Sequence, residues 1–118
     1  MKTPKDPRHK KRQEIVKTLF AESFTHQIGI KAQVKEILAK QALIDDKIRV
    51  IAPEFPIDKI NKVDLAILRL GVYELVIDPK EPQKVVIDEA IELAKEFGND
   101  SSSAFINGAL GKLISDIK

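Results

Sequence analysis

The 118-residue chain reads as all-α, a compact helical bundle, on three observations. First, in Val63 to Ile77 eleven of fifteen residues are apolar and only Asp64, Arg69 and Glu74 carry charge, so as a helix it is apolar on almost every side. A surface helix keeps one polar face for water, and a helix without one belongs in the middle of a bundle. Second, Ile15, Val16, Leu19, Phe20 and Phe24, and again Ile87, Ala90, Ile91, Ala94 and Phe97, recur at helical spacing. Third, prolines and glycines fall between these runs, as at Pro53, Pro56, Pro79, Pro82 and Gly98. At about 22 Å the central run is too short to cross a bilayer. Its β-prone end, Val72 to Ile77, has a buried strand as its alternative reading. Helix is preferred because Asn61 is a good N-cap, Asp64 sits three residues on near the positive helix end, and the run is longer than most strands.

Taken in order, residues 1–7 hold Lys2, Pro4, Lys5 and Pro7 with no large apolar residue after Met1, so a mobile basic tail is expected there, followed by a single helical domain over 8–118. An amphipathic helix is predicted from Arg8 or His9 to about Phe24, its first turns carrying Arg8, His9, Lys10, Lys11 and Arg12. Cations at a helix N-terminus oppose the macrodipole, and phosphate binding is the obvious reason to place them there. A second helix is expected over roughly Ile30 to Ala42, a short helical piece from Asp45 or Asp46 to near Pro53, and one turn at Ile57 to Ile60. After the central helix comes a turn at Asp78 to Pro82, with Pro82 in the first turn of the next helix, whose end Gly98 is expected to mark in the left-handed conformation. Asp100 or Ser101 then caps a last helix in which Phe105, Ala109 and Leu113 share one face and Ile106, Leu110 and Ile117 another. Gly108 and Gly111 weaken that helix unless another helix or a ligand approaches closely. Arg69 is expected in a buried ion pair, with Glu89 or Glu74 as its partner.

The net charge of +2 divides unevenly, into +5 over Met1 to Lys17 and −3 over the remainder. A basic end on a mildly acidic body suits contact with a polyanion and leaves the body free for another partner. There is no cysteine, so disulfides, thiolate metal sites and sulfur redox chemistry are excluded. The N-terminus lacks the apolar stretch of a secretory signal, and the cytoplasm is the expected compartment. No catalytic constellation emerges: Ser101 to Ser103 lack a nucleophile elbow, glycine-rich phosphate loops are absent, and His9 and His26 make no metal site. Neither enzymatic activity nor a cofactor is expected.

Three segments carry a resemblance: A-I-L-R-L-G-V-Y-E-L at Ala66 to Leu75, K-V-V-I-D-E-A-I-E-L-A-K-E-F-G at Lys84 to Gly98, and F-I-N-G at Phe105 to Gly108. In this order, over about half the chain, they resemble the NusB family of bacterial transcription antitermination factors. Arg8 to Phe20 matches more weakly the family's Arg-rich first helix. The stretch between Ala21 and Asn61 shows little likeness and is shorter than usual. The resemblance implies two small helical subdomains without enzymatic activity. It also implies binding of single-stranded boxA-like RNA from ribosomal RNA leaders, together with the ribosomal protein NusE, in the RNA polymerase antitermination complex.

Carried over by position, the resemblance assigns RNA contact to Arg8, His9, Lys10, Lys11 and Arg12, to the Asp100-Ser101 turn, and to Phe105, which reads equally as core. Phe20 and Asp64 align with the protein partner's contact. Gln83 stands where relatives carry Tyr and Asp88 where they carry Asn. The short middle bears on the family's homodimer and partner surfaces more than on its fold. Two other readings compete: a module like the N-terminal domain of ribosomal RNA cytosine methyltransferases, acting in trans, and a protein-interaction bundle with an incidental basic end.

Overall fold

The computed structural model describes residues 6–117, among which there are six helices and no strand. They are α1 (Pro7–Glu22), α2 (Ala32–Ala39), α3 (Gln41–Ile51), α4 (Lys62–Val72), α5 (Gln83–Phe97) and α6 (Ser102–Asp116), with a single 3₁₀ turn at Ile57–Lys59 before α4. The tail expected over 1–7 lies mostly outside the described residues. Its last two positions belong to α1, because Asp6 caps the helix and Pro7 is its first residue.

Helix α4 occupies the centre. Asn61 Oδ1 accepts from the Val63 and Asp64 N–H groups at 2.8 and 3.3 Å, which satisfies two donors that every helix start leaves free. Eight of its eleven residues are buried, on all sides, so it can pack at once against α1, α3, α5 and α6. The helix does not stop at Val72. It widens over Tyr73–Ile77 into a turn in which the Asp78 N–H reaches the Tyr73 carbonyl, five residues back, at 2.9 Å. The strand alternative for Val72 to Ile77 is thereby excluded.

Helices α1 to α3 precede this axis and the α5–α6 hairpin follows it, and both groups share one apolar core. Ile37, Ile44, Ile48, Ile67, Leu68, Leu93, Ile106 and Leu110 are sealed from water in it. Each such side chain contributes about 1.5–3 kcal/mol by leaving water.

Several local expectations are corrected. α2 ends at Ala39 and α3 starts at Gln41, with Lys40 alone between them, where the sequence suggested a helix to Ala42 and a restart at Asp45 or Asp46. No Gly or Pro lies between Ile30 and Ala52, and the apolar repeat runs straight through the break, so nothing in the pattern marks it. α5 begins at Gln83, with Pro82 in the capping position. Gly98 has φ −92° and ψ −167°, not the left-handed conformation. What requires glycine is space: a Cβ would collide with the Ser102 side chain and lie 2.8 Å from the Ala94 carbonyl oxygen. Ser101 takes the N-cap position of α6 without a side-chain cap bond of its own. Asn99 supplies it instead, its Oδ1 accepting from the Ser101 N–H at 2.9 Å while Ser102 Oγ accepts from the Asn99 N–H at 3.0 Å. The helix crossing that needs a glycine uses Gly71, where a Cβ would lie 2.9 Å from Leu110 Cδ1. Gly108 and Gly111 face open space. Ile117 is exposed rather than part of an apolar face.

Candidate nucleic-acid interface

The site begins with the cap of α1. Asp6 accepts from the Arg8 N–H at 2.9 Å, placing a carboxylate at the positive end of a helix whose first turns are otherwise basic. Helical geometry then sorts the cations. His9, Arg12, Val16 and Leu19 recur at intervals of three and four and, with Ile15, form the buried face, while Arg8, Lys10 and Lys11 point outward. The five-residue basic run is therefore two sets with different tasks.

The inward set is tied to later helices. His9 Nδ1 lies 2.7 Å from Glu89 Oε1, and Nε2 lies 2.9 Å from Glu96 Oε2. A neutral imidazole has one donor, so a ring with a carboxylate at each nitrogen is an imidazolium. Burial pushes its pKa down, but the hydrogen bonds and charges of Glu89 and Glu96 outweigh that and raise it above the ordinary value. Arg12 makes a bidentate pair with Glu74, Nε to Oε2 at 2.9 Å and Nη2 to Oε1 at 2.7 Å, and also bonds Glu81. Its Nη1 stands 3.6 Å from Glu89 Oε1, so Glu89 joins the two cations. Burial disfavours the charged guanidinium, and Glu74 and Glu81 reverse that, leaving its pKa above the ordinary value. This cluster fixes α1 to the end of α4, the 78–82 turn and α5. Both side chains are buried and committed to carboxylates, so neither presents its charge at the outer surface of α1.

The outward set is different in kind. The Arg8 side chain is 72% exposed and loosely paired, 3.5 Å from Glu81 and 3.9 Å from Asp6. Lys10 and Lys11 are exposed and form no ion pair among the described residues. Asp100 and Ser101 are exposed in the α5–α6 loop. Phe105 is half-buried on α6 against the core, with the Phe55 ring edge-on at 5.8 Å, so the core part of its double reading accounts for most of its surroundings.

A second surface forms where α1 ends and α4 begins. Phe20 meets Phe24 edge-on at 5.0 Å, and Lys62 Nζ lies 5.8 Å from the Phe24 ring centroid. Phe24 was expected in the buried stripe, yet it is 64% exposed, because α1 ends at Glu22 and the chain turns away. Glu22 holds that turn by accepting the Gln27 N–H at 2.6 Å, which keeps its carboxyl below the usual range. Asp64, two residues from Lys62, is buried, and its Oδ1 has no hydrogen-bond partner among the described residues. Sequence reasoning missed Phe24 as a surface residue, and an earlier helix end was the only signal for it.

Arg69 pairs with neither expected partner. It holds Asp45 of α3 through two bonds of 2.9 Å. Positions 69 and 74 lie about 140° apart around a helix, so Glu74 faces α1 while Arg69 faces α3. Among the described residues no group of three or more His, Asp or Glu side chains is placed to hold a metal, and no helix is long and apolar enough to cross a membrane.

The fold and site define a small all-helical protein built on a central apolar helix, with one basic helix end open to solvent and an aromatic patch at the other end of the same helix. The chain belongs to the NusB family, which matches residues 4–115. It is 47% identical over 76 residues to the transcription antitermination protein NusB of Chloroflexus aggregans, covering 63% of this chain and 51% of that protein. Against the protein of the same name from Clostridium botulinum strain Kyoto it is 45% identical over 85 residues, 72% of this chain and 59% of the relative. The matched stretch thus spans half to three-fifths of the curated relatives' lengths. The solved structure of T. maritima NusB superposes with a TM-score of 0.80 at 30% identity, covering 98% of this chain and 94% of that one.

Proposed function

We propose that this protein is an RNA-binding transcription antitermination factor, acting on single-stranded boxA-like RNA together with the ribosomal protein NusE in an RNA polymerase antitermination complex. The observation that carries the reading is the split of the basic run on α1. Arg12 and His9 are neutralised by glutamates, while Arg8, Lys10 and Lys11 stay exposed at a helix end where the macrodipole disfavours them. Exposed cations in that position, Arg8 only loosely paired and Lys10 and Lys11 without an ion pair among the described residues, are suited to phosphates, whose contacts dominate affinity for nucleic acid. The RNA-facing set is then Arg8, Lys10 and Lys11, with Asp100, Ser101 and the edge of Phe105 as further contacts. His9 and Arg12 act as positioning residues, holding α1 in place.

The Phe20–Phe24 patch beside Lys62 is the proposed seat for the protein partner, since exposed aromatics at the rim of a polar surface are common in interfaces. The test is a titration of boxA-like RNA with and without the ribosomal protein. Binding should be tighter with both present, and Phe20→Ala with Phe24→Ala should abolish only the gain from the ribosomal protein. Equal RNA affinity with and without it would contradict the partner part of the reading, and a homodimer occupying the patch would appear as a change in sedimentation on the same substitutions.

A further inference from the structure

Between α1 and the end of α4 lies an open cavity of about 390 Å³, whose other walls are α2 and the 78–81 turn. That volume falls within the range of small-molecule sites, about 300–1,000 Å³. Its apolar part is supplied by Ile15, Ala32 and Leu70. Four carboxylates line the cavity: Arg12 holds Glu74 and Glu81, while Glu36 of α2 and Asp78 after α4 converge on the Tyr73 hydroxyl, the latter at 3.4 Å. One hydroxyl proton cannot satisfy two carboxylates: burial together with these two charges holds the phenol protonated, with a single proton to give, and ionised carboxylates have none to give in return. Lys80, 3.4 Å from Asp78, is 80% exposed and neutralises only one of them loosely. Gln33 adds a further acceptor at the wall: its Oε1 is removed from water and has no hydrogen-bond partner among the described residues. Rotating that amide toward the cavity would offer the oxygen to a donor there.

Glu36 and Asp78 therefore ask for a flat group with several N–H donors along one edge, while Lys11, which forms no ion pair among the described residues, and Lys80, paired only loosely with Asp78, line the same cavity and suit an anion. We infer that the cavity is a subsite for a single guanine nucleotide, its N1–H and N2–H₂ edge donating to Glu36 and Asp78 and its phosphate held by Lys11 and Lys80. Guanine is the base with adjacent N–H donors on its pairing edge; adenine, cytosine and uracil each present one donor position there, with an acceptor beside it. An arginine side chain would also satisfy the two carboxylates, but it brings no anion for Lys11, which a nucleotide's phosphate supplies. The inference rests on the RNA-binding reading for the source of the nucleotide, since Lys11 belongs both to the cavity and to the proposed RNA surface. Free guanine nucleotide has the same chemistry, and the experiment separates the two sources.

Three titrations of the full chain test this, using 5′-GMP, a boxA-like RNA, and the same RNA with each guanine replaced in turn by inosine, which lacks the N2 amino group. One inosine position should weaken RNA binding about tenfold, the range of a bidentate base contact. That loss should vanish in Glu36→Gln, whose wild-type residue is exposed and whose amide oxygen still accepts from Tyr73. GMP binding lost in Glu36→Gln, with AMP failing to bind, supports the site as well. If it appears without any RNA binding, the source is free nucleotide and the RNA reading fails while the cavity assignment stands. Tight RNA binding indifferent to every inosine and to Glu36→Gln would overturn the subsite and leave the RNA reading intact. Glu36-dependent binding of an arginine-rich peptide, with none of GMP, would overturn it in favour of a protein partner.

Discussion

Replacing Arg12 by alanine distinguishes a structural cation from an RNA contact. The guanidinium lies among Glu74, Glu81 and Glu89, with its side chain 7% exposed. Removing it leaves carboxylates partly out of water without their counter-charge. Breaking a buried pair in this way costs about 3–5 kcal/mol. A chain of this length unfolds with an entropy of about 0.25 kcal/mol/K, so the melting temperature should fall by about 12–20 °C. Lys11→Ala is the control one position away: its side chain is exposed and forms no ion pair among the described residues, and its loss should stay within about 0.5 kcal/mol. Thermal and urea unfolding followed by circular dichroism measure both. A double-mutant cycle of Arg12→Met with Glu74→Gln should return a coupling of about 1–3 kcal/mol. An Arg12→Ala variant that loses less than about 1 kcal/mol while losing RNA affinity would refute the reasoning, because it would put the guanidinium on the surface.

The remaining predictions concern other parts of the same framework. The raised pKa of His9 means that its contribution is fully present below the unfolded value of about 6.5 and is lost as pH rises through the higher folded value. Urea midpoints from pH 6 to 9 should therefore fall in the wild type more steeply than in His9→Gln, and parallel curves would count against the imidazolium. Asp45→Ala strands Arg69 inside the bundle and should cost about 3–5 kcal/mol in urea unfolding, whereas Asp46→Ala, next in sequence but exposed, should be near neutral. The glycines should divide by the space around them. Gly98→Ala and Gly71→Ala should destabilise, Gly98 the more because it meets backbone, while Gly108→Ala should stabilise by up to about 1 kcal/mol. A uniform response across the three would contradict that division.

The apolar skeleton was legible before any coordinates. Val63 to Ile77 has no polar side to show water, and Asn61 stands where its cap is needed, so the central helix and its burial followed from pattern alone. What stayed hidden depends on contacts between residues far apart in sequence. The break at Lys40 leaves the apolar period intact, and Arg69 pairs with Asp45 because Glu74 turns toward α1. At the site, the cations of α1 were visible as a cluster, yet their division was not read from it. The spacing of His9, Arg12, Val16 and Leu19 already carried it, but charged residues on a buried stripe become intelligible only once glutamates from α5 and the 74–81 region are seen to meet them. Gly108 and Gly111 looked like a close helix crossing for lack of the knowledge that Gly71 serves it.

The most direct measurement of the account is the salt dependence of RNA affinity in the wild type and in the doubly substituted Lys10→Gln, Lys11→Gln protein. Each phosphate contact on a single strand adds about 0.7 to the slope of log affinity against log salt. The account predicts weaker binding by the double variant, a slope flatter by about 1.4 and an unchanged melting temperature. Wild-type affinity and slope in a folded double variant would contradict it, because the exposed face of α1 would then not be where the RNA lies.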